Sequence, residues 1–307
     1  YDKISFMNHK HTSQLPADEN LKTAFLLNLS FSVAEFIGGF VFNSVAIMAD
    51  ALHDLGDSIS LAISWWMENL AKKAEDKSFS YGYRRFSLLS ALISAFVLIG
   101  GSILVLSQAI PRLANPVRPD TNGMLGFAVL GIAVNGFAAL RTSAGKTMNE
   151  KMVSWHLLED VFGWVAVLIT AVVIKITPLY ILDPLLSIGM TIWVLTHVIK
   201  NLRATIMLFL QGVPEKVDVR KIEEAILKEK NVRGIHHTHV WSLDGEKHVL
   251  TTHVLLDNCA KKEDIRAVKH LVQEFTKEYD LAHTTIEFEY HDEECSMVNL
   301  NGTHEHI

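Results

Sequence analysis

Six long apolar segments, separated by short polar ones, fill the first two thirds of the chain. Each comes close to or exceeds the roughly 20 residues that an α-helix needs to cross a bilayer. This pattern predicts an α-helical membrane domain built as a bundle of six transmembrane helices. Their predicted positions are about 21–42, 45–70, 86–110 with Pro111 as its end, 121–140, 153–176, and from Pro184 to near 203 or slightly beyond.

The pattern changes after residue 211, where apolar and charged residues begin to alternate. Helical spacing over 217–230 and 265–279 predicts two amphipathic helices, and short apolar runs over 237–243, 249–255 and 284–290 are typical of strands. The order α-β-β-α-β predicts a small α+β domain of the ferredoxin-like or metallochaperone-like kind. The predicted parts of the chain are an N-terminal segment 1–20, a membrane domain 21–210, an α+β domain 211–290 and a flexible tail 291–307.

Composition and charge narrow the class of protein. Hydrophobic residues make up 49% of the chain and charged residues only 20%, which is too apolar for an ordinary soluble domain. Most Lys and Arg of the membrane part lie in the loops after the second and fourth helices and at the end of the sixth, so the positive-inside rule predicts that both termini are cytoplasmic. The net charge of −6, without a basic cluster, argues against nucleic-acid binding. Cys259 and Cys295, both in the soluble part, fit reduced cytosolic thiols.

Two of the apolar segments carry the same ionisable motif, His-x-x-x-Asp. The second segment contains His53 and Asp57, and the fifth contains His156 and Asp160. Residues four apart project from one face of a helix, so each helix presents an imidazole beside a carboxylate. Two nitrogens and two carboxylate oxygens suit tetrahedral Zn²⁺, whereas Mg²⁺ and Ca²⁺ favour shells of oxygen alone. The two faces together predict a four-ligand site for a transition metal.

Ionisable groups in the middle of a membrane helix cost about 2.5–3.5 kcal/mol each on insertion scales, and they usually mark a transport path. A polar pair that only fixes helix packing is the alternative, and four such residues at identical spacing disfavour it. We expect Asp50 to accept a hydrogen bond from His53 rather than to act as a fifth ligand, and Asp54 to line a water-filled entry. Glu35 stays open between a gate, a proton site and a partner for a helix end or a basic residue. Glu159 is assigned no role as a ligand.

Several of these features together resemble the cation diffusion facilitator family. They are the motifs on the second and fifth helices, the loop Phe-Ser-Tyr-Gly-Tyr-Arg-Arg at 79–85, and His-His-Thr-His-Val-Trp at 236–241 within an α-β-β-α-β domain. The resemblance covers about residues 21–290. It implies a homodimeric secondary transporter that exports Zn²⁺ and related ions from the cytoplasm, usually in exchange for protons. A transport site in which His53 stands where some relatives have Asp implies a preference for Zn²⁺ and also Cd²⁺.

The resemblance also implies metal binding on the soluble domain. The implied ligands are His236, His253, Glu287 and Glu289. The two glutamates stand where some relatives have His and Asp, which leaves the number of cytoplasmic metals open. Lesser candidates are His237, His239, His283 and His291. Histidine-containing motifs also lie near both ends of the sequence, His9-Lys10-His11 and His304-Glu305-His306. They are either segments that bind metal weakly or polar ends without a function.

Residues and resemblance together lead to one expected function, proton-coupled export of Zn²⁺ by a homodimer in a lipid bilayer, with the bacterial inner membrane as its location. No organic cofactor and no enzymatic activity are expected. A membrane-anchored metal sensor is the first alternative. A membrane metalloenzyme is the second, and it would need an open coordination position and a general base, as in His-Glu-x-x-His, a motif that the sequence lacks.

Overall fold

The computed structural model describes residues 19–143 and 148–291. Six long helices come first: α1 (Glu19–Val41), α2 (Val45–Ala71), α3 (Phe86–Ala114), α4 (Thr121–Ser143), α5 (Met148–Ile176) and α6 (Leu182–Phe209). The C-terminal part follows as α7 (Val219–Leu227), β1 (Val232–Ser242), β2 (His248–Leu256), α8 (Lys262–Glu278) and β3 (Leu281–Tyr290). The predicted α-β-β-α-β order is confirmed, and β1 and β3 begin earlier than expected.

Four of the long helices, α3 to α6, are long and apolar enough to cross a membrane by length and composition. In α1 the described apolar stretch is shorter, Phe25–Val41. α2 is a 27-residue helix, and it carries three aspartates in addition to His53. The chain is therefore a helical membrane protein with several spans.

Two prolines that were predicted to bound helices lie inside them instead. α3 continues past Pro111 to Ala114, and α6 starts at Leu182, before Pro184. Pro184 lies in the first turn of α6, where the backbone N–H groups have no intrahelical acceptor, so the missing N–H costs little. Helical hydrogen bonding continues beyond Pro111, because the Asn115 N–H donates to the Pro111 carbonyl at 3.1 Å. The prediction that Pro111 closes the third helix was wrong for this reason.

The described residues up to Ser58, together with Leu98–Leu195, form one compact unit. Its centre is aromatic: the ring centroids of Phe31 and Phe127 lie 5.5 Å apart in a stacked pair, and Trp164 contacts both rings. Trp164, on α5, is fully buried. The unit holds the N-terminal half of α2 and the whole of α5, the two helices that carry the His-x-x-x-Asp motifs.

Close approach of α4 to Trp164 depends on Gly131, because a Cβ there would overlap the indole ring. We expect Gly131→Ala to destabilise the protein by about 1–3 kcal/mol, as overpacked cores do. Gly126→Ala on the same helix is the matched control, since nothing lies within 4 Å of its added methyl. Thermal unfolding in detergent should show a lower midpoint for Gly131→Ala alone, and equal midpoints for the two variants would contradict the packing argument.

The start of α2 is held by a residue from α6. Asp183 is buried, and its carboxylate accepts hydrogen bonds from the Ser44 hydroxyl at 2.6 Å and the Val45 N–H at 2.8 Å. The Arg112 guanidinium stabilises the preceding turn, because it donates hydrogen bonds to the backbone carbonyl oxygen and to the side-chain oxygen of Asn43. Asp183 thus caps the helix N-terminus, where N–H groups lack partners and a negative charge is favourable.

Ile59–Val97 and the described residues from Thr196 onwards form the second compact unit. Its sheet has the order β1-β2-β3, with β1 antiparallel and β3 parallel to β2. The residues of α7 and α8 that pack against one face of the sheet are Ile222, Ile226, Val268, Val272 and Phe275. Side chains alternate between the two faces of a strand. Because Ile235 and Val254 belong to this core, their neighbours His236 and His253 lie on the other face.

The loop between α2 and α3 contacts the C-terminal domain within this second unit. The Arg84 guanidinium lies 3.2 Å from the Asp244 carboxylate at the turn between β1 and β2. The Tyr81 ring meets the His283 ring of β3 with 5.1 Å between centroids. The loop that follows α2 thus contacts β3 and the turn that joins β1 to β2.

Candidate metal centres

Three of the four predicted ligands in the helices come together around one carboxylate. Asp57 Oδ2 lies 3.8 Å from His53 Nε2 on the same helix and 3.5 Å from His156 Nε2 on α5. The two imidazole rings are 6.2 Å apart between centroids and nearly perpendicular. Asp57 therefore lies between two imidazoles that approach it from different helices.

Asp160, the fourth predicted ligand, is one helical turn beyond His156. Only 5% of it is exposed, and its Oδ2 atom has no hydrogen-bond partner among the described residues. It lines a cavity of about 560 Å³ together with His53, Asp50 and Glu159. A buried polar atom without a partner is costly, and a cation in this cavity would remove that cost. Nitrogen and carboxylate donors of this kind suit Zn²⁺ as substrate.

The expected hydrogen bond between Asp50 and His53 is not formed in the described structure. His53 Nδ1 and Asp50 Oδ2 are both buried without a hydrogen-bond partner. Asp50 is 3% exposed and faces the same cavity as His53. The two side chains are therefore neighbours at the cavity wall, and Asp50 does not orient the imidazole in this arrangement.

Two further acids lie deeper in the same unit. Asp54 was expected to line a water-filled entry, but it is fully buried, and the Ser32 hydroxyl reaches its Oδ2 at 3.5 Å. Glu35 is also fully buried. Neither of its carboxylate oxygens has a hydrogen-bond partner among the described residues. Sequence patterns could single out Glu35 but could not show that it is fully buried.

The sheet of the C-terminal domain gathers a second set of ligands. His236 of β1 lies opposite His253 of β2, and Glu289 follows two residues after Glu287, which pairs with His253. Glu289 Oε1 is 2.7 Å from His253 Nδ1, and its Oε2 is 3.1 Å from His236 Nε2. Ligand atoms of the three residues His236, His253 and Glu289 all lie within 4.8 Å of one another. These three are buried and can hold one metal ion.

Glu287 differs from Glu289 in its surroundings. Its side chain is 48% exposed, compared with 6% for Glu289, and its Oε2 lies 3.5 Å from His253 Nε2. His253 thus has one glutamate on each side of its ring. A donor set of imidazoles and carboxylate fits Zn²⁺. Each short contact between an imidazole nitrogen and a carboxylate oxygen holds a proton between the two atoms, and a metal ion bound there would take the place of that proton.

His237, a lesser candidate from the sequence, lies close to this group. The pairing of β1 with β2 shifts register between His236 and His239, and His237 has a φ of 49°. Its ring centroid lies 5.2 Å from that of His236 and 5.3 Å from that of His253. Regular strand alternation would place it on the opposite face from His236, so sequence reasoning had no reason to favour it.

Some predicted features lie outside the described residues. They are most of the N-terminal segment with His9 and His11, and the tail from residue 292 with Cys295, His304 and His306. Cys259 is an exposed free thiol among the described residues.

Comparison with known proteins gives matches along nearly the whole chain. Residues 21–210 match the family model of the cation efflux transmembrane domain, and residues 214–291 match that of the cation efflux protein, cytoplasmic domain. A solved structure, the metal-bound C-terminal domain of the CzcD transporter from Cupriavidus metallidurans, is 34% identical over 24% of this chain and 99% of that one, with a TM-score of 0.21.

Curated relatives are similar over about nine tenths or more of their length. The metal cation efflux system protein CzcD of Cupriavidus metallidurans is 32% identical, over 92% of this chain and 89% of that protein. The zinc transporter ZitB of Escherichia coli is 31% identical, over 97% and 98%. The cadmium, cobalt and zinc/H(+)-K(+) antiporter of Bacillus subtilis is 30% identical, over 92% of each. These relatives are transporters, in line with the expectation that the protein is not an enzyme, and the chain belongs to the cation efflux, or cation diffusion facilitator, family of metal transporters.

Proposed function

We propose that this protein exports Zn²⁺, and also Cd²⁺, from the cytoplasm in exchange for protons. The observation that carries the proposal is the position of Asp57 between His53 and His156. In the same unit, buried Asp160 lines a cavity together with His53. A relative whose name gives zinc as its substrate, and another named for cadmium, cobalt and zinc, support this range of ions. The four residues His53, Asp57, His156 and Asp160 are the proposed transport ligands.

Competition between metal and proton would couple the two fluxes. An imidazole nitrogen that binds Zn²⁺ cannot hold a proton, and a protonated carboxylate is a weaker ligand, so metal binding releases protons. Alternating access around a site near the middle of the bilayer is the general arrangement of secondary transporters. Zn²⁺ would enter from the cytoplasm, and protons arriving from the other side would displace it.

The proposed topology has six spans, with both termini in the cytoplasm of a bacterial inner membrane. α1 and α2 would span as well, because the ionisable residues of α2 turn towards protein rather than lipid. Lys72, Lys73 and Lys77 follow α2 and would lie on the cytoplasmic side by the positive-inside rule. The proposed parts of the chain remain 1–20, 21–210, 211–290 and 291–307.

The C-terminal domain is proposed to join two protomers and to bind Zn²⁺ as a resident ion. The match of residues 214–291 to the family's cytoplasmic domain supports this assembly. His236, His253 and Glu289 would hold the ion, and it would favour the dimer that is competent for transport.

Zinc uptake into vesicles that contain a pH-sensitive dye tests the proposal. With an imposed pH gradient, the reconstituted protein should take up Zn²⁺ and the dye should report counterflow of protons. Collapse of the gradient with an ionophore should reduce uptake, and the apparent affinity should fall between about pH 7.5 and about pH 5.5, where histidine takes up a proton. Equal uptake in both conditions without a dye response would indicate a uniporter or channel. No uptake by protein that still binds Zn²⁺ would indicate a sensor.

A further inference from the structure

The backbone of β1 has an unusual conformation next to the C-terminal metal site. His237 has a φ of 49°, in the left-handed region that residues other than glycine seldom adopt. Such conformations persist only where surrounding structure enforces them, and they are concentrated at functional sites. Here the conformation coincides with a β-bulge between His236 and His239. Bulges can re-aim a side chain from one face of a sheet to the other, and this one brings the His237 ring to the rings of His236 and His253.

The three rings form a nearly equilateral triangle. Their centroids are 5.2 Å apart for His236 and His237, 5.3 Å for His237 and His253, and 5.3 Å for His236 and His253. A Zn–N distance of about 2.05 Å puts each ring centroid about 3.2 Å from a zinc ion, so two rings at the tetrahedral angle are about 5.2 Å apart. The spacing of the ring centroids therefore matches that of three imidazole ligands of one zinc. The donor atoms that already lie within 4.8 Å of one another are those of His236, His253 and Glu289, so the His237 ring has to turn a nitrogen towards them when zinc binds.

We infer that His237 is a third imidazole ligand of the C-terminal zinc, which is then held by His236, His237, His253 and Glu289. The inference rests on the proposed metal site of this domain and not on transport. Three nitrogens and one carboxylate oxygen complete a tetrahedral shell and leave no open position. Closed four-ligand sites are typical of structural zinc.

Glu287 then has a different role from the one that the family resemblance implies. It is half exposed and reaches His253 Nε2 at 3.5 Å, whereas Glu289 contacts His253 Nδ1 at 2.7 Å. With zinc bound through Nδ1, Glu287 accepts a hydrogen bond from Nε2 and orients the ring. It is a positioning residue, as carboxylates behind metal-bound histidines usually are.

The decisive variant is His237→Asn. Asparagine tolerates the left-handed conformation, so the bulge can remain while the imidazole is lost. His239→Ala is the matched control: it removes a histidine from the same strand, and the His239 ring is 6.4 Å from that of His237. Both variants are made in the full chain in which the four transport ligands are replaced by Ala or Asn, so that one equivalent of Zn²⁺ reports on the C-terminal site alone.

X-ray absorption at the zinc edge counts the imidazoles, and competition with a chelator gives the affinity. We expect three imidazoles per zinc in the background protein and in His239→Ala, and two in His237→Asn with affinity lower by roughly 100-fold. Two imidazoles in the background protein itself would overturn the inference without any need for a folded variant. An unchanged count and affinity in His237→Asn would overturn it as well. Zinc uptake by the unaltered protein tests the proposed transport separately.

Discussion

Replacing Asp57 with asparagine should abolish zinc uptake while leaving the protein folded. The carboxylate approaches both His53 and His156, at 3.8 and 3.5 Å, so its loss removes the group that the two helices share. An amide has nearly the same shape, but it brings no charge to offset that of the metal. Loss of a group that only supports a metal ligand weakens metal binding or activity by about 10–100-fold, so we expect loss of the Asp57 carboxylate to reduce uptake by about 100-fold or more.

Uptake into vesicles and calorimetric titration of detergent-purified protein are the two measurements. Glu68→Gln is the control, since it removes a carboxylate from the same helix α2 at a position away from the imidazoles. The C-terminal site should still bind one zinc in both variants. Undiminished uptake by Asp57→Asn would remove this residue from the proposed transport site.

Replacing Asp183 with alanine should disable transport for a different reason. Its carboxylate accepts three hydrogen bonds at the start of α2, from the Ser44 hydroxyl and from the N–H groups of Val45 and Ala46. Alanine would leave these buried donors without an acceptor, and each hydrogen bond to a charged group is worth about 1.5–3 kcal/mol. We expect a lower unfolding midpoint and reduced uptake, because α2 carries His53 and Asp57.

Two variants separate this role from direct metal binding. Asp183→Asn retains an acceptor oxygen and should keep more of the stability, and Ser44→Ala removes only one of the three contacts. Zinc affinity measured on folded Asp183→Asn protein should stay close to that of the unaltered chain. If affinity in this variant falls as far as in Asp57→Asn, Asp183 has a role at the metal rather than at the helix end.

Helical periodicity made part of the proposed transport site predictable. The pair His53 and Asp57 follows from spacing alone, because four residues make about one turn. The contact of Asp57 with His156 does not follow, since it depends on how α2 packs against α5. Asp183 shows the same limit more strongly, because nothing local in the first turn of α6 indicates that its acid caps a helix 138 residues earlier.

In the C-terminal domain, the pair His236 and His253 was implied by the family resemblance and not by strand alternation, because the predicted first strand began at residue 237. The place of His237 beside this pair depends on the bulge in β1. A bulge adds one residue to a strand and reverses the faces beyond it, and the local sequence contains no glycine that would have indicated it. Alternation also treats Glu287 and Glu289 as equivalent. The side chain of Glu287 is 48% exposed and that of Glu289 is 6% exposed. This difference depends on the tertiary structure around β3.

The contacts of Arg84 with Asp244 and of Tyr81 with His283 have a thermodynamic consequence. They connect β3 and the turn between β1 and β2, in the domain with the proposed zinc ligands, to the loop at the end of α2, the helix that carries His53 and Asp57. If zinc at the sheet changes the affinity of the helical site by some factor, linkage requires that zinc at the helical site change the affinity of the sheet by the same factor. The proposed resident ion would then be bound with an affinity that depends on whether cargo is present. Arg84→Ala would weaken this dependence, and removing the Tyr81 ring as well would weaken it further.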